Sequence, residues 1–132
     1  MREIKFRAKR ISNGEWLYGD LMHDNIGGCY VYPIDCAALY KENAVLPETI
    51  GQFTGLKDKN GKEIYEGDII GCYHPNIKHL IFFNGKQGRF MAALNGDIEN
   101  DFIGVCGLDD SRWNATKEVI GNIHDNPELL TK

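Results

Sequence analysis

Pro47-Glu48-Thr49-Ile50-Gly51-Gln52-Phe53-Thr54-Gly55-Leu56-Lys57-Asp58-Lys59-Asn60-Gly61-Lys62-Glu63-Ile64-Tyr65-Glu66-Gly67-Asp68-Ile69-Ile70 alternates short apolar runs with turn residues so densely that it reads as two strands around a reversal, leading into a third. Asn60-Gly61 is the strongest short-range hairpin signal, because both residues tolerate positive φ. Gln52, Phe53 and Thr54 run in before it, and Ile64 and Tyr65 come out after it. The loop from Lys57 to Lys62 is longer than two residues, so a bulged or four- to five-residue hairpin is expected. Gly67-Asp68 punctuates again, and Ile69 and Ile70 open a new strand. Glu66 and Asp68 read as turn residues, with Asp68 accepting backbone N–H bonds. A carboxylate pair for metal or acid chemistry would need a third oxygen ligand or a poised base, and the neighbouring sequence supplies neither.

The same grammar extends outward in both directions. Ile4, Phe6 and Ala8 alternate with Lys5, Arg7 and Lys9 at a period of two, which predicts a half-buried strand with a basic outer face. Asn13-Gly14 turns the chain back through Trp16, Leu17 and Tyr18. A third strand is expected at Cys29–Ile34, with Tyr30 and Tyr32 on one side, Cys29 and Val31 on the other, and Pro33 ending it at a sheet margin. From Asp35 to Leu46 the pattern weakens: Cys36–Tyr40 is open between a helical turn and a short strand, and Lys41-Glu42-Asn43 reads as a solvated turn. Pro47-Glu48-Thr49 resembles a turn or a single helical turn with proline at its first position. Further on, Ile70–Tyr73, Ile77–Phe83, Arg89–Leu94, Phe102–Cys106 and Val119–Ile123 read as strands, Asp109–Ala115 as a helical turn or irregular loop, and Pro127–Leu130 as a terminal turn. Four Asn-Gly pairs flanked by strands argue for an antiparallel meander rather than for parallel units with crossover helices. Short strands with glycine-rich turns expose edges unless they curl, so a mainly β fold is expected, a small and partly open antiparallel barrel with at most one or two short helical turns, with an α+β arrangement carrying a single short helix as the alternative.

Three pieces of the chain carry a resemblance. The central segment, the opening Met1-Arg2-Glu3-Ile4-Lys5-Phe6-Arg7-Ala8 and the closing Glu118–Leu130 (E-V-I-G-N-I-H-D-N-P-E-L-L) together resemble the signature of the YopX family, small proteins of phages and prophages in bacterial genomes. The pieces stand in the family's order and span the chain. Lys9 stands where the family usually has an aromatic residue. The resemblance implies an SH3-like barrel with an added irregular segment, and it carries over no activity and no site residues.

Bulk properties narrow the classes. A chain of 132 residues suits one domain over 1–132, with parts of 1–46 as a candidate small subdomain. Apolar residues at 42 % and charged residues at 26 % describe a globular chain rather than a disordered one. Net charge is −4, yet residues 1–10 sum to +4 and the remainder to −8. An acidic body disfavours nonspecific binding to phosphate backbones, which Lys and Arg drive by displacing counterions. The N-terminus lacks the apolar core of an export signal, and no apolar run is long enough to span a membrane. A cytoplasmic protein is therefore expected, in a bacterial host as the resemblance implies, with Cys29, Cys36, Cys72 and Cys106 as free thiols.

Chemistry-bearing constellations are sparse. Cys72, His74 and His79, with Cys29 and Cys36 as remote partners, depart from the paired spacing of structural zinc sites, and no metal or cofactor is expected. Ser12 and Ser111 lie beside no nucleophile elbow. His23-Asp24 and His124-Asp125 are sequence neighbours, which point opposite ways on a strand. No catalytic residue and no phosphate-cradling loop emerges, and a non-enzymatic protein-interaction module is the expected class. The alternative is a nucleic-acid-binding barrel using Lys5, Arg7, Lys9 and Arg10, with Trp16 as a stacking platform and Tyr18 as an addition. An uncovered edge strand would also permit self-association. Asn60, Gly61, Gly67 and Asp68 are assigned to turn geometry.

Overall fold

The computed structural model describes residues 3–33, 40–71, 77–99, 102–104 and 117–130. It is mainly β, and its strands pair antiparallel throughout the described ladders. The chain divides into two compact units, Met1–Phe53 and Thr54–Lys132.

In the first unit, β1 (Phe6–Lys9), β2 (Trp16–His23) and β3 (Cys29–Tyr32) form a meander. Gly14, at φ 74°, makes the first reversal possible, and β1 then pairs with β2 from Phe6↔Gly19 to Lys9↔Trp16. On its other side β1 pairs with the beginning of β4 (Gly51–Lys57), through Phe6↔Gln52 and Arg7↔Gly51. Alternation does the rest: Ala8, Leu17, Cys29 and Val31 point to one side and form the core with Val45, while Leu21 and Ile50 pack against it. Ala44 is bridged to Tyr30 and Val45 to Arg10, with Val45 N–H donating to the Cys29 carbonyl at 3.0 Å and Leu46 N–H to the Lys9 carbonyl at 2.9 Å. That short segment occupies part of the edge β3 would otherwise leave bare.

A 3-10 turn at Pro47–Thr49 carries proline at its first position and delivers the chain into β4. Thr49 fixes it, its hydroxyl donating to the Leu46 carbonyl at 2.7 Å and accepting the Lys9 N–H at 2.9 Å. A second 3-10 turn occupies Tyr40–Asn43. Asn43 is buried there, so the expected solvated turn is wet only in part.

In the second unit, the remainder of β4 pairs with β5 (Glu63–Tyr65) across a five-residue loop, Asp58–Lys62. The other sheet has the order β10-β6-β7-β8-β9, from β6 (Asp68–Gly71), β7 (Lys78–Asn84), β8 (Arg89–Leu94), β9 (Phe102–Gly104) and β10 (Glu118–Asn122). Ile64, Ile70, Ile81 and Ala92 make its core, with Leu56, Phe90 and Val119 against them. A register shift between Val119 and Gly121 bends β10 against β6. Pro127–Leu130 is a 3-10 turn with both leucines half-buried.

The described strands thus form two antiparallel sheets and no closed barrel, a partly open β arrangement. The expectations at Ile34–Leu39, Cys72–Tyr73, Val105–Cys106 and Asp109–Ala115 fall outside the described residues.

Candidate functional site

Residues directly opposite one another in an antiparallel ladder point to the same face. The register sets Arg7 against Tyr18 and Lys9 against Trp16, then Asp20 against Tyr32 and Met22 against Tyr30. One face of the first unit therefore gathers the cations of β1, two aromatics of β2 and both tyrosines of β3. The sequence-derived candidates Lys5, Arg7, Lys9 and Trp16 do come together, and Arg10 follows directly after β1.

Their surroundings differ from the expected wet basic face. Arg7 is only 5 % exposed, with its guanidinium carbon 4.7 Å from the centre of the Trp16 ring. The Lys9 ammonium stands 5.5 Å from the same ring. Lys5 reaches the Phe53 ring at 5.1 Å and Glu3 at 2.6 Å. Arg10 donates from Nε to the Glu42 carbonyl at 2.7 Å and lies 3.6 Å from a Glu15 carboxylate oxygen. Planar cations spread readily over aromatic rings, at about 0.5–2 kcal/mol per contact depending on desolvation. Aromatic rings one residue across the ladder thus draw in a charge that periodicity alone would send to water.

Farther along the same face the character changes. Tyr18 is 45 % and Met22 53 % exposed, while Tyr30 and Tyr32 are half-buried with ring centres 6.5 Å apart. Gly19 lets β2 and β3 approach here, since a Cβ at that position would land on the Tyr32 carbonyl. Asp24 shapes the connecting loop: one carboxylate oxygen accepts the Ile26 and Gly28 N–H groups at 3.0 and 2.6 Å, and the other accepts the Tyr30 hydroxyl at 2.7 Å. Those bonds, the Tyr30 hydroxyl foremost, hold its carboxyl below the ordinary aspartate value. Asp24 is committed to loop geometry beside His23.

The turn residues of the central segment lie where reversals occur. Gly61 and Gly67 adopt φ of 81° and 89°, and the buried Asp68 accepts the Tyr65 N–H at 2.8 Å. Asn60 donates to Glu118 at 3.1 Å. Asp58, which the sequence reading passed over, organises this loop. Its Oδ1 accepts Asn60 and Lys62 N–H, each at 2.9 Å, and its Oδ2 accepts the Val119 N–H of β10 at 2.9 Å. Burial pushes its pKa upward, but the bonds from Val119, Lys62 and Asn60 and the Lys62 charge outweigh that and hold the carboxyl below its ordinary value. An aspartate two residues before Asn-Gly was the available signal, since such side chains cap the N–H two residues on.

Among the described residues no three His, Cys, Asp or Glu side chains converge in a way that could hold a metal ion. Cys29 is a buried free thiol, and Cys36, Cys72, His74 and Cys106 lie outside the described residues. Among the described residues no helix is long and apolar enough to cross a membrane. A cavity of about 630 Å³ in the second unit is lined by Phe82, Phe83 and Ile98 with Asn84, Lys86 and Glu99, and among these described residues no nucleophile stands beside a base.

Comparison with known proteins adds a family and a solved relative. The model of the YopX protein family matches residues 5–131. The crystal structure of protein EF1440 from Enterococcus faecalis is similar at 28 % sequence identity and a TM-score of 0.60, covering 99 % of this chain and 100 % of that one. No curated protein matches the chain.

Proposed function

The chain belongs to the YopX family, and on that footing we propose that it is a non-enzymatic protein-interaction module of phage or prophage origin, working in the cytoplasm of a bacterial host. The observation that carries the interaction reading is the exposed stretch of Tyr18 and Met22 beside Tyr30 and Tyr32. Large, semi-rigid side chains of this kind bury apolar area at low entropic cost when a partner covers them. Charge adjoining the stretch is largely engaged internally, which favours a partner presenting apolar or aromatic side chains over one presenting phosphates. The non-enzymatic reading is supported by the carboxylates of Asp24, Asp58 and Asp68, each of which serves backbone geometry.

Nucleic-acid binding is the second reading, favoured by the sharing of one face by cations and aromatics. It ranks lower because the Trp16 ring already carries two cations and Arg7 is buried. Stacking a base would have to displace them. Calorimetric titration of a partner recovered from prophage-bearing cells tests the ranking. Tyr18→Ala and Met22→Ala should each weaken binding by roughly fivefold or more, as central interface residues do. Unchanged affinity in both variants would place the binding surface elsewhere.

A further inference from the structure

The four Asn-Gly pairs share one local sequence but not one environment. An Asn-Gly pair can cyclise when the glycine nitrogen attacks the asparagine side-chain carbonyl carbon, so the state of that N–H matters. Gly14 N–H donates to the Arg10 carbonyl at 2.9 Å, Gly61 N–H to the Asp58 carbonyl at 3.0 Å and Gly96 N–H to the Ala93 carbonyl at 3.2 Å. All three glycines hold positive φ, at 74°, 81° and 82°, within closed turns. Gly85 differs on both counts. It is exposed, has negative φ, and its N–H makes no hydrogen bond to the described residues.

The electrophile at this pair is also prepared. Asn84 Oδ1 accepts the Lys86 N–H at 2.9 Å and the Gln87 N–H at 3.3 Å, and Asn84 Nδ2 donates to the Met91 sulfur at 3.4 Å. Two N–H donors on a carbonyl oxygen stabilise the negative charge that develops there during attack.

We propose that Asn84 is a site of self-catalysed deamidation, singled out by the fold from four pairs of equal sequence. The Gly85 nitrogen loses its proton and bonds to Asn84 Cγ, the Cγ–Nδ2 bond breaks, and Nδ2 takes up a proton and leaves as ammonia. Water then opens the cyclic imide, giving aspartate when the Cγ–N bond breaks and isoaspartate when the original peptide bond breaks. Either product replaces a neutral amide with a carboxylate on the lining of the cavity, which Glu99 shares. The isoaspartate also lengthens the backbone at the Asn84↔Arg89 end of the β7–β8 ladder.

The test is incubation of the full chain at mildly alkaline pH, followed by peptide mapping with fragmentation that separates aspartate from isoaspartate. Asn84 should convert ~5-fold faster than Asn13, Asn60 or Asn95, the factor corresponding to about one backbone hydrogen bond on the competing glycines. In denaturant the four rates should converge. Equal rates in the folded chain, a faster site among the other three, or the same spread of rates in denaturant would each overturn the assignment.

Discussion

Replacing Asp58 with Asn probes whether one carboxylate holds the central loop to β10. The substitution keeps an Oδ1 acceptor for the N–H groups of Asn60 and Lys62, while the amide that replaces Oδ2 meets the Val119 N–H donor to donor. Asn60 and Lys62 are exposed, so water can serve their N–H groups when required. Val119 is half-buried, and leaving its N–H unmet costs ~1–2 kcal/mol. Asp58→Ala removes all three bonds and should cost about 2–3 kcal/mol, the loop pair adding little because it rehydrates. Urea unfolding reads this as a lower midpoint at constant slope. Asp58 also carries a pH signature. Its folded pKa lies below the ordinary value of 3.8, so the carboxylate contributes stability above that value and loses it as pH falls through the lower, folded value. Asp58→Asn should flatten that acid limb. A variant as stable as the parent at neutral pH, with an unchanged acid limb, would refute the claim that Asp58 joins loop and strand.

Other perturbations follow from the same geometry. Gly19→Ala places a Cβ on the Tyr32 carbonyl and should lower stability by about 1–3 kcal/mol, measured by denaturant unfolding. Ile70→Ala empties a fully buried position of the second core and should cost roughly 2–5 kcal/mol. Asp24→Ala should speed amide exchange at Ile26 and Gly28 by loosening the β2–β3 loop, while exchange in the β7–β8 ladder stays as it was.

Much of the β architecture was legible because turn chemistry is local. Asn-Gly, Gly-Asp and the Pro47 turn reveal reversals through backbone preferences that need no tertiary context, and alternation at Cys29–Tyr32 separated the two tyrosines from Cys29 and Val31, which the burial pattern shows to be the buried pair. What escaped depended on contacts distant in sequence. Asp58 reaches Val119 across 61 residues, and no local pattern announces such a partner. Arg7 was assigned to solvent by a period of two, yet the Trp16 ring, diagonally across the ladder on the neighbouring strand, takes it in. The division into two sheets was equally hidden, since the same short strands and turns would also serve a curled barrel. At the site, the residues were readable as types, but which cations remain available was a property of the ladder register.

The most direct measurement is a fluorescence titration of labelled single- and double-stranded nucleic acid into the intact chain at low salt. Cations already held against Trp16, Phe53 and nearby carboxylates should give no saturable, salt-dependent binding tighter than about 10 μM, since backbone affinity needs several available phosphate contacts. Tight binding that weakens steeply with salt and disappears on charge reversal at Lys5 and Lys9 would contradict the account and make the β1–β2 face a nucleic-acid surface.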